Sequence, residues 1–193
     1  MLPSMATSRA RGLATAADIE DDRQEVVRGE LVRKASPSFE HSATQHAMAV
    51  ALGGFLGRAR SGRPGGWWFG TEAEIELETH DVYLPDIAGW RIARLPDRPS
   101  GRPVRITPDW VCEVLSPSTM ARDLGHKLRT YHRARVPHYW LVEPIGAVLS
   151  VYRWQDDGYL LVLSAGPDDV VRAEPFDAID LNMSEIFDRP GEP

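Results

Sequence analysis

A single cysteine, Cys112, is present in 193 residues. That excludes an intramolecular disulfide and a multi-cysteine zinc site, and it fits a reducing cytoplasm. No apolar run approaches 18 residues, so a transmembrane helix is excluded by length and no membrane partner is expected. There is no internal repeat, heptad pattern, Gly-rich phosphate loop or HExxH motif. Lysine is nearly missing: 20 of the 22 basic residues are arginine and 2 are lysine. A basic excess is missing too. The formal net charge is -6, which argues against a nucleic-acid binder, because non-specific affinity comes from neutralising phosphates.

What is present suits one globular unit. With 42% hydrophobic residues the chain can fill one core. Residues 1–22 are rich in Ala, Ser, Thr and Arg without an apolar segment, which reads as a flexible leader rather than a signal peptide, with Met5 an alternative start. The remainder, 23–193, is read as one domain. Its pattern predicts a short strand pair at 25–34, a helix at 40–60 and a Gly/Pro turn at 61–66. Strands follow at 67–69 and 72–78, where Glu72, Glu74, Glu76 and Glu78 alternate with apolar residues as an acidic outer face. Further strands are expected at 138–142, 148–154, 159–163 and 170–173, and a short helix at 183–187. The tryptophans read as core or dimer-contact residues rather than base-stacking platforms.

The most informative stretch is 108–144. Trp110, Val111, Cys112, Val114 and Leu115 form an apolar run too short for a helix, bounded by Pro108 and by Ser116-Pro117. Apolar residues on both sides predict a central strand covered on two faces. Glu113 then enters a buried layer, where a carboxylate needs a cation, a hydrogen-bond partner or a raised pKa. A core glutamate paired to an arginine is the plainer reading. After a turn with an expected helix N-cap at Ser118 or Thr119, Asp123 falls in the early turns, where negative charge is favoured. Leu124, Lys127, Leu128 and Tyr131 follow i, i+3, i+4, i+7 spacing, which places Lys127 on the apolar face. An exposed Asp123 to Lys127 ion pair is the alternative, worth about 0.3 to 0.5 kcal/mol.

Upstream, Pro85 opens an apolar run and Asp86 lies just inside it, at a sheet end where a site can open. Pro-Asp also occurs at 96, 108 and 167, so only the strand context distinguishes Asp86 from a turn residue. Two carboxylates converging at one sheet end are hard oxygen ligands for Mg²⁺ or Mn²⁺. Such a metal polarises a phosphate and lowers the pKa of a bound water, while a compact ammonium offsets developing charge. Asp86, Glu113 and Lys127 thus supply the parts of a phosphodiester-cleaving site.

These motifs in this order resemble the PD-(D/E)XK nuclease superfamily and, within it, the Uma-type restriction endonucleases. The resemblance covers 24–188. It rests on Glu25, Gly29 and Glu30 near the start, on Ser38 and His41 opening the first long helix, and on Leu84-Pro85-Asp86. It continues through Glu113 with the run 116–119, Asp123 with Lys127 and Tyr131, and Val136-Pro137 through Trp140 to Glu143-Pro144. It implies an α/β restriction-endonuclease-like core, a mixed central β-sheet flanked by helices. It implies Asp86 as the aspartate of the PD element and Glu113 as the first acid of the (D/E)XK element, both metal ligands. The position of the usual lysine is Leu115. In the Uma-type branch the lysine is displaced onto the following helix, which maps it to Lys127. Glu30, His41 and Asp123 are accessory candidates. Glu30 and His41 read either as a ligand or proton-transfer group, or as a strand-end acid and a helix-start histidine with local partners.

The implied activity is a Mg²⁺ or Mn²⁺-dependent endonuclease acting on DNA, with a homodimer implied by the family. Charge allows this locally: 91–105 and 119–138 each carry a net +4 despite the acidic total. Two other readings stay open. One is an inactive nucleic-acid or protein-interaction module that keeps the fold, for which Leu115 is the sign; the other is a nuclease acting on RNA. Metal bound between Asp86 and Glu113 separates the first from an enzyme, and substrate preference separates the second from a DNA nuclease.

Overall fold

The computed structural model describes residues 12–116 and 123–187. The expected N-cap at Ser118 or Thr119 lies outside the described residues, as do residues 1–11 of the expected leader. The rest of that segment lies against the first hairpin, formed by β1 (Gln24–Val27) and β2 (Glu30–Arg33). The connecting Arg28 and Gly29 have φ of 53° and 80°, the left-handed geometry of a type I′ turn. A Cβ at Gly29 would lie 2.7 Å from Leu13 Cβ, so glycine also makes room for the incoming chain. The Ala14 N–H donates to the Gly29 carbonyl at 2.8 Å.

Helix α1 (Phe39–Ala51) starts at Ser38, whose side chain accepts from the His41 N–H. It ends before the predicted limit of 60, passing into a 3-10 turn at Leu52–Phe55. Gly53 and Gly54 account for this, since each weakens a helix by up to about 1 kcal/mol relative to alanine.

Six strands form the main sheet: β3 (Trp67–Thr71), β6 (Ile87–Arg91), β7 (Trp110–Val114), β8 (His138–Glu143), β9 (Val148–Gln155) and β10 (Gly158–Ala165). Their order is β10-β9-β8-β7-β6-β3. Neighbours run antiparallel except β7 and β8, which are parallel. The connection between those two holds a π-helical turn at Asp123–Lys127 and helix α2 (Leu128–Arg133), as a parallel crossover requires. The mixed sheet with flanking helices is the architecture expected from the sequence. A second sheet, ordered β2-β1-β5-β4, adds β4 (Ile75–Glu78) and β5 (Asp81–Tyr83). A last pair, β11 (Val170–Val171) and β12 (Leu181–Asn182), leads into α3 (Met183–Ile186).

The core divides across the main sheet. Trp110, Cys112 and Val114 enter one cluster with Met48, Leu52, Trp140 and Phe176. Val111 and Leu115 enter another with Tyr131, Val136 and Tyr139. Trp110 and Trp140 meet edge to face at 5.3 Å, a geometry that adds about 0.5 to 1.5 kcal/mol beyond area burial. Because side chains alternate along a strand, Glu113 shares the side of Val111 and Leu115, under α2.

The predicted strand at 72–78 is corrected at both its start and its pattern. Glu72 adopts φ 47°, which breaks the extended chain, so β4 begins at Ile75. Glu74 is buried rather than outward, with Arg102 Nε donating to its Oε2 at 2.8 Å. That arginine arrives from a distant loop, which local alternation does not reveal.

His138, opposite Trp110 in register, yields a prediction about pH. Its Nδ1 is buried without a hydrogen-bond partner among the described residues. Burial, followed by the charges of Arg91 and Arg153, pushes the imidazole from 6.5 down to about 4. The unfolded chain therefore binds the proton first as pH falls. Stabilisation fully present above pH 6.5 is lost progressively between pH 6.5 and about 4. Denaturant titrations of His138→Gln are expected to show a flatter pH dependence across that window, and a slope equal to that of the native protein would assign it to other groups.

Candidate active site

Asp86 lies between β5, which belongs to the small sheet, and β6, which belongs to the main one. Pro85 precedes it, and the antiparallel register of β6 with β7 pairs Ile87 with Cys112. One step back along β6 and forward along β7 sets Asp86 beside Glu113, on the face opposite Ile87 and Cys112. Both acids are 1% exposed. The Asp86 carboxylate is held on both sides: Oδ2 accepts from the Val114 N–H at 2.6 Å and lies 3.2 Å from His41 Nε2. Lys34 Nζ donates to Oδ1 at 2.7 Å. Burial alone would raise its pKa. The hydrogen bond from His41 and the charges of Lys34, His41 and Lys127 outweigh it and hold the carboxyl well below the ordinary 3.8.

Glu113 has a matching arrangement. Lys127 Nζ donates to Oε1 at 2.9 Å and the Tyr131 hydroxyl donates to the same oxygen at 2.7 Å. Lys127 and Tyr131 are four residues apart and so lie on one helical face. Lys127 is 1% exposed, which excludes the solvent ion pair with Asp123. Among the described residues Glu113 pairs with a lysine, where the plainer reading expected an arginine. Burial, reinforced by the charge of Glu113, drives the Tyr131 phenol well above 10.0 and keeps it a donor.

The sequence reasoning did not place Glu25 or Lys34 here. Glu25, fully buried on β1, accepts from the Leu84 N–H at 3.1 Å and lies 3.5 Å from Lys127 Nζ. Lys34, just beyond β2, donates to the Leu84 carbonyl at 2.9 Å as well as to Asp86. Both lysines of the chain are therefore buried in this cluster, one on each acid. Lysine scarcity pointed to Lys34 as much as to Lys127.

The accessory candidates separate. His41 reaches Asp86 across the fold rather than finding a local partner. Glu30 is exposed at the turn end of the first hairpin, and among the described residues no hydrogen bond or ion pair joins it to the cluster. The side chain of Asp123 lies outside the described residues. The basic segment 91–105 is also less available than its charge implies. In 91–105, Arg94, Arg102 and Arg105 are committed to Asp109, Glu74 and Glu76, and Arg91 lies at the end of β6 remote from Asp86.

The donor chemistry fits a hard divalent cation. Asp86, just before β6, and Glu113, on the adjacent β7, supply carboxylate oxygens, and the Lys34 ammonium already occupies an oxygen-lined position at Asp86. No group of three or more His, Cys, Asp or Glu with metal-holding geometry occurs among the described residues. A metal here would take Asp86 and Glu113 among its ligands, with water and substrate oxygens contributing to its sphere.

Comparison with known proteins bears on the fold and the family. A solved structure titled as a putative nuclease belonging to DUF820, from Anabaena variabilis, superimposes with a TM-score of 0.71 at 21% identity, covering 91% of this chain and 98% of that one. At that identity the likeness establishes the fold. A protein of Synechocystis, named as uncharacterized, is 41% identical over 63 residues, 32% of this chain and 33% of its own length. This match spans about a third of that relative. The Uma2 family, described as "Putative restriction endonuclease", matches residues 13–184, and the chain therefore belongs to it.

Proposed function

We propose that this protein is a Mg²⁺ or Mn²⁺-dependent endonuclease that hydrolyses phosphodiester bonds of DNA, working in the cytoplasm as a homodimer. The observation that supports it is the pairing of two neighbouring buried acids, Asp86 and Glu113, each with its own lysine. In this reading Asp86 and Glu113 would hold the metal, which when bound would supply polarisation of the phosphate and a more acidic water. The chain's own residues set the stage. Tyr131 and Lys127 fix the orientation of Glu113 through one oxygen. Glu25 anchors the Leu84 peptide and with it the approach to Asp86. Lys127, a compact ammonium, balances negative charge as the pentacovalent phosphate develops. Leu115, where the superfamily has its usual lysine, is buried in the core cluster that contains Tyr131, and Lys127 reaches Glu113 from the helix side instead.

The test compares plasmid DNA, linear duplex and a structured RNA with Mg²⁺, Mn²⁺ or EDTA. Cleavage of DNA that requires the metal is the expected outcome. Cleavage confined to RNA would overturn the DNA assignment, and binding of DNA without any cleavage would favour the interaction module.

A further inference from the structure

The Lys34 ammonium lies 2.7 Å from Asp86 Oδ1, 2.9 Å from the Leu84 carbonyl and 3.5 Å from Glu72 Oε1. Three oxygens, two of them from carboxylates, surround one cation. These are the ligand types that a hard divalent ion takes. Asp86 Oδ2 is already engaged by the Val114 N–H and His41, so an ion approaching Asp86 meets Oδ1, where Lys34 stands. We propose that Asp86, the Leu84 carbonyl and Glu72 form one cation position, filled by Lys34 and taken by a divalent metal that displaces it. This rests on the metal-dependent reading above and adds to it Glu72, Leu84 and Lys34.

The route of displacement is visible in the packing. The side chains of Lys34 and Asp86 are 7% and 1% exposed, whereas Glu72 is 37% exposed. Glu72 therefore forms the outer lip, and a flexible four-carbon stem can carry the ammonium past it toward solvent. Glu72 is held at the lip by an unusual backbone: φ is 47°, and its N–H donates to the Asp86 carbonyl at 3.3 Å. A left-handed glutamate is costly and persists where surroundings enforce it, as at ligand sites. Charge favours exchange as well: between the carboxylates of Asp86 and Glu72 a divalent ion supplies one more positive charge than the ammonium it replaces, and Lys34 regains hydration. The chain's own lysine thus keeps the acids compact until metal arrives.

Having two lysines makes the test direct. Native protein is treated with formaldehyde and a borane reductant, with and without MnCl₂, and methylation at each lysine is read by peptide mass spectrometry. Methylation of Lys34 is expected to rise several-fold with Mn²⁺ while Lys127 stays protected; an unchanged Lys34 would overturn the displacement. Calorimetric titration of MnCl₂ into the native protein, Lys34→Met and Asp86→Asn gives a second reading. Lys34→Met is expected to bind Mn²⁺ about tenfold more tightly, on the scale by which one adjacent charge shifts proton affinity at a carboxylate. Equal affinity for the native protein and Lys34→Met, with binding lost in Asp86→Asn, would overturn the role of Lys34 and leave the metal site standing. Absence of any Asp86-dependent binding would overturn both.

Discussion

Glu113→Gln is expected to reduce metal-dependent cleavage roughly a thousandfold, the scale on which removing metal-based charge stabilisation acts. Glutamine keeps the shape of the side chain and an oxygen that can still accept from Tyr131, whose hydroxyl now lies 2.7 Å from Oε1. The negative charge is what disappears. A neutral amide is a poor ligand for a hard cation, and the Lys127 ammonium at 2.9 Å loses its nearest counter-charge. Cleavage of a labelled duplex under single-turnover conditions, at a temperature where circular dichroism shows the variant folded, isolates the chemical effect. Activity equal to that of the native protein would remove Glu113 from the reaction.

The second large effect concerns stability. Lys127→Met takes away a cation 2.9 Å from Glu113 and 3.5 Å from Glu25, both acids being at most 1% exposed. Removing one partner from a buried ion pair costs about 3 to 5 kcal/mol, because the remaining charge stays desolvated. Replacing the acid as well should restore part of that loss. We expect Lys127→Met combined with Glu25→Gln to be less destabilised than the sum of the single variants, by at least about 0.5 kcal/mol, as for other residues in direct contact. Urea unfolding of the four proteins measures this. A cost below about 1 kcal/mol for Lys127→Met would mean that the cluster readily absorbs the loss of its cation.

Local pattern made one half of this site legible. The β7 run announces a strand buried on both faces, and the acid in its middle stands out for that reason. The i, i+4 relation of Lys127 to Tyr131 gives the helix phase that turns both toward Glu113. Asp86 was distinguished from other Pro-Asp pairs only by the strand after it. Glu25 and Lys34 could not be found this way, because their roles depend on how the small sheet lies against the main one. Nothing in the first hairpin's sequence says that Glu25, rather than Glu30, is the buried acid. The sheet order does: Glu25 lies on β1, which is flanked by β2 and β5, while Glu30 lies on the edge strand β2. Glu74 was misplaced for a related reason, since Arg102 compensates it from 28 residues away.

The parallel pairing of β7 with β8 has a consequence for how this cluster is assembled. Glu113 and Lys127 lie 14 residues apart within one strand-helix-strand unit, whereas Asp86 and Lys34 are separated by 52 residues. Closing the longer loop costs roughly 1 kcal/mol more chain entropy than closing the shorter one. The Glu113 half can therefore form within a contiguous segment of the chain. The Asp86 half forms only when the first hairpin docks, and it is the first to open when that docking weakens.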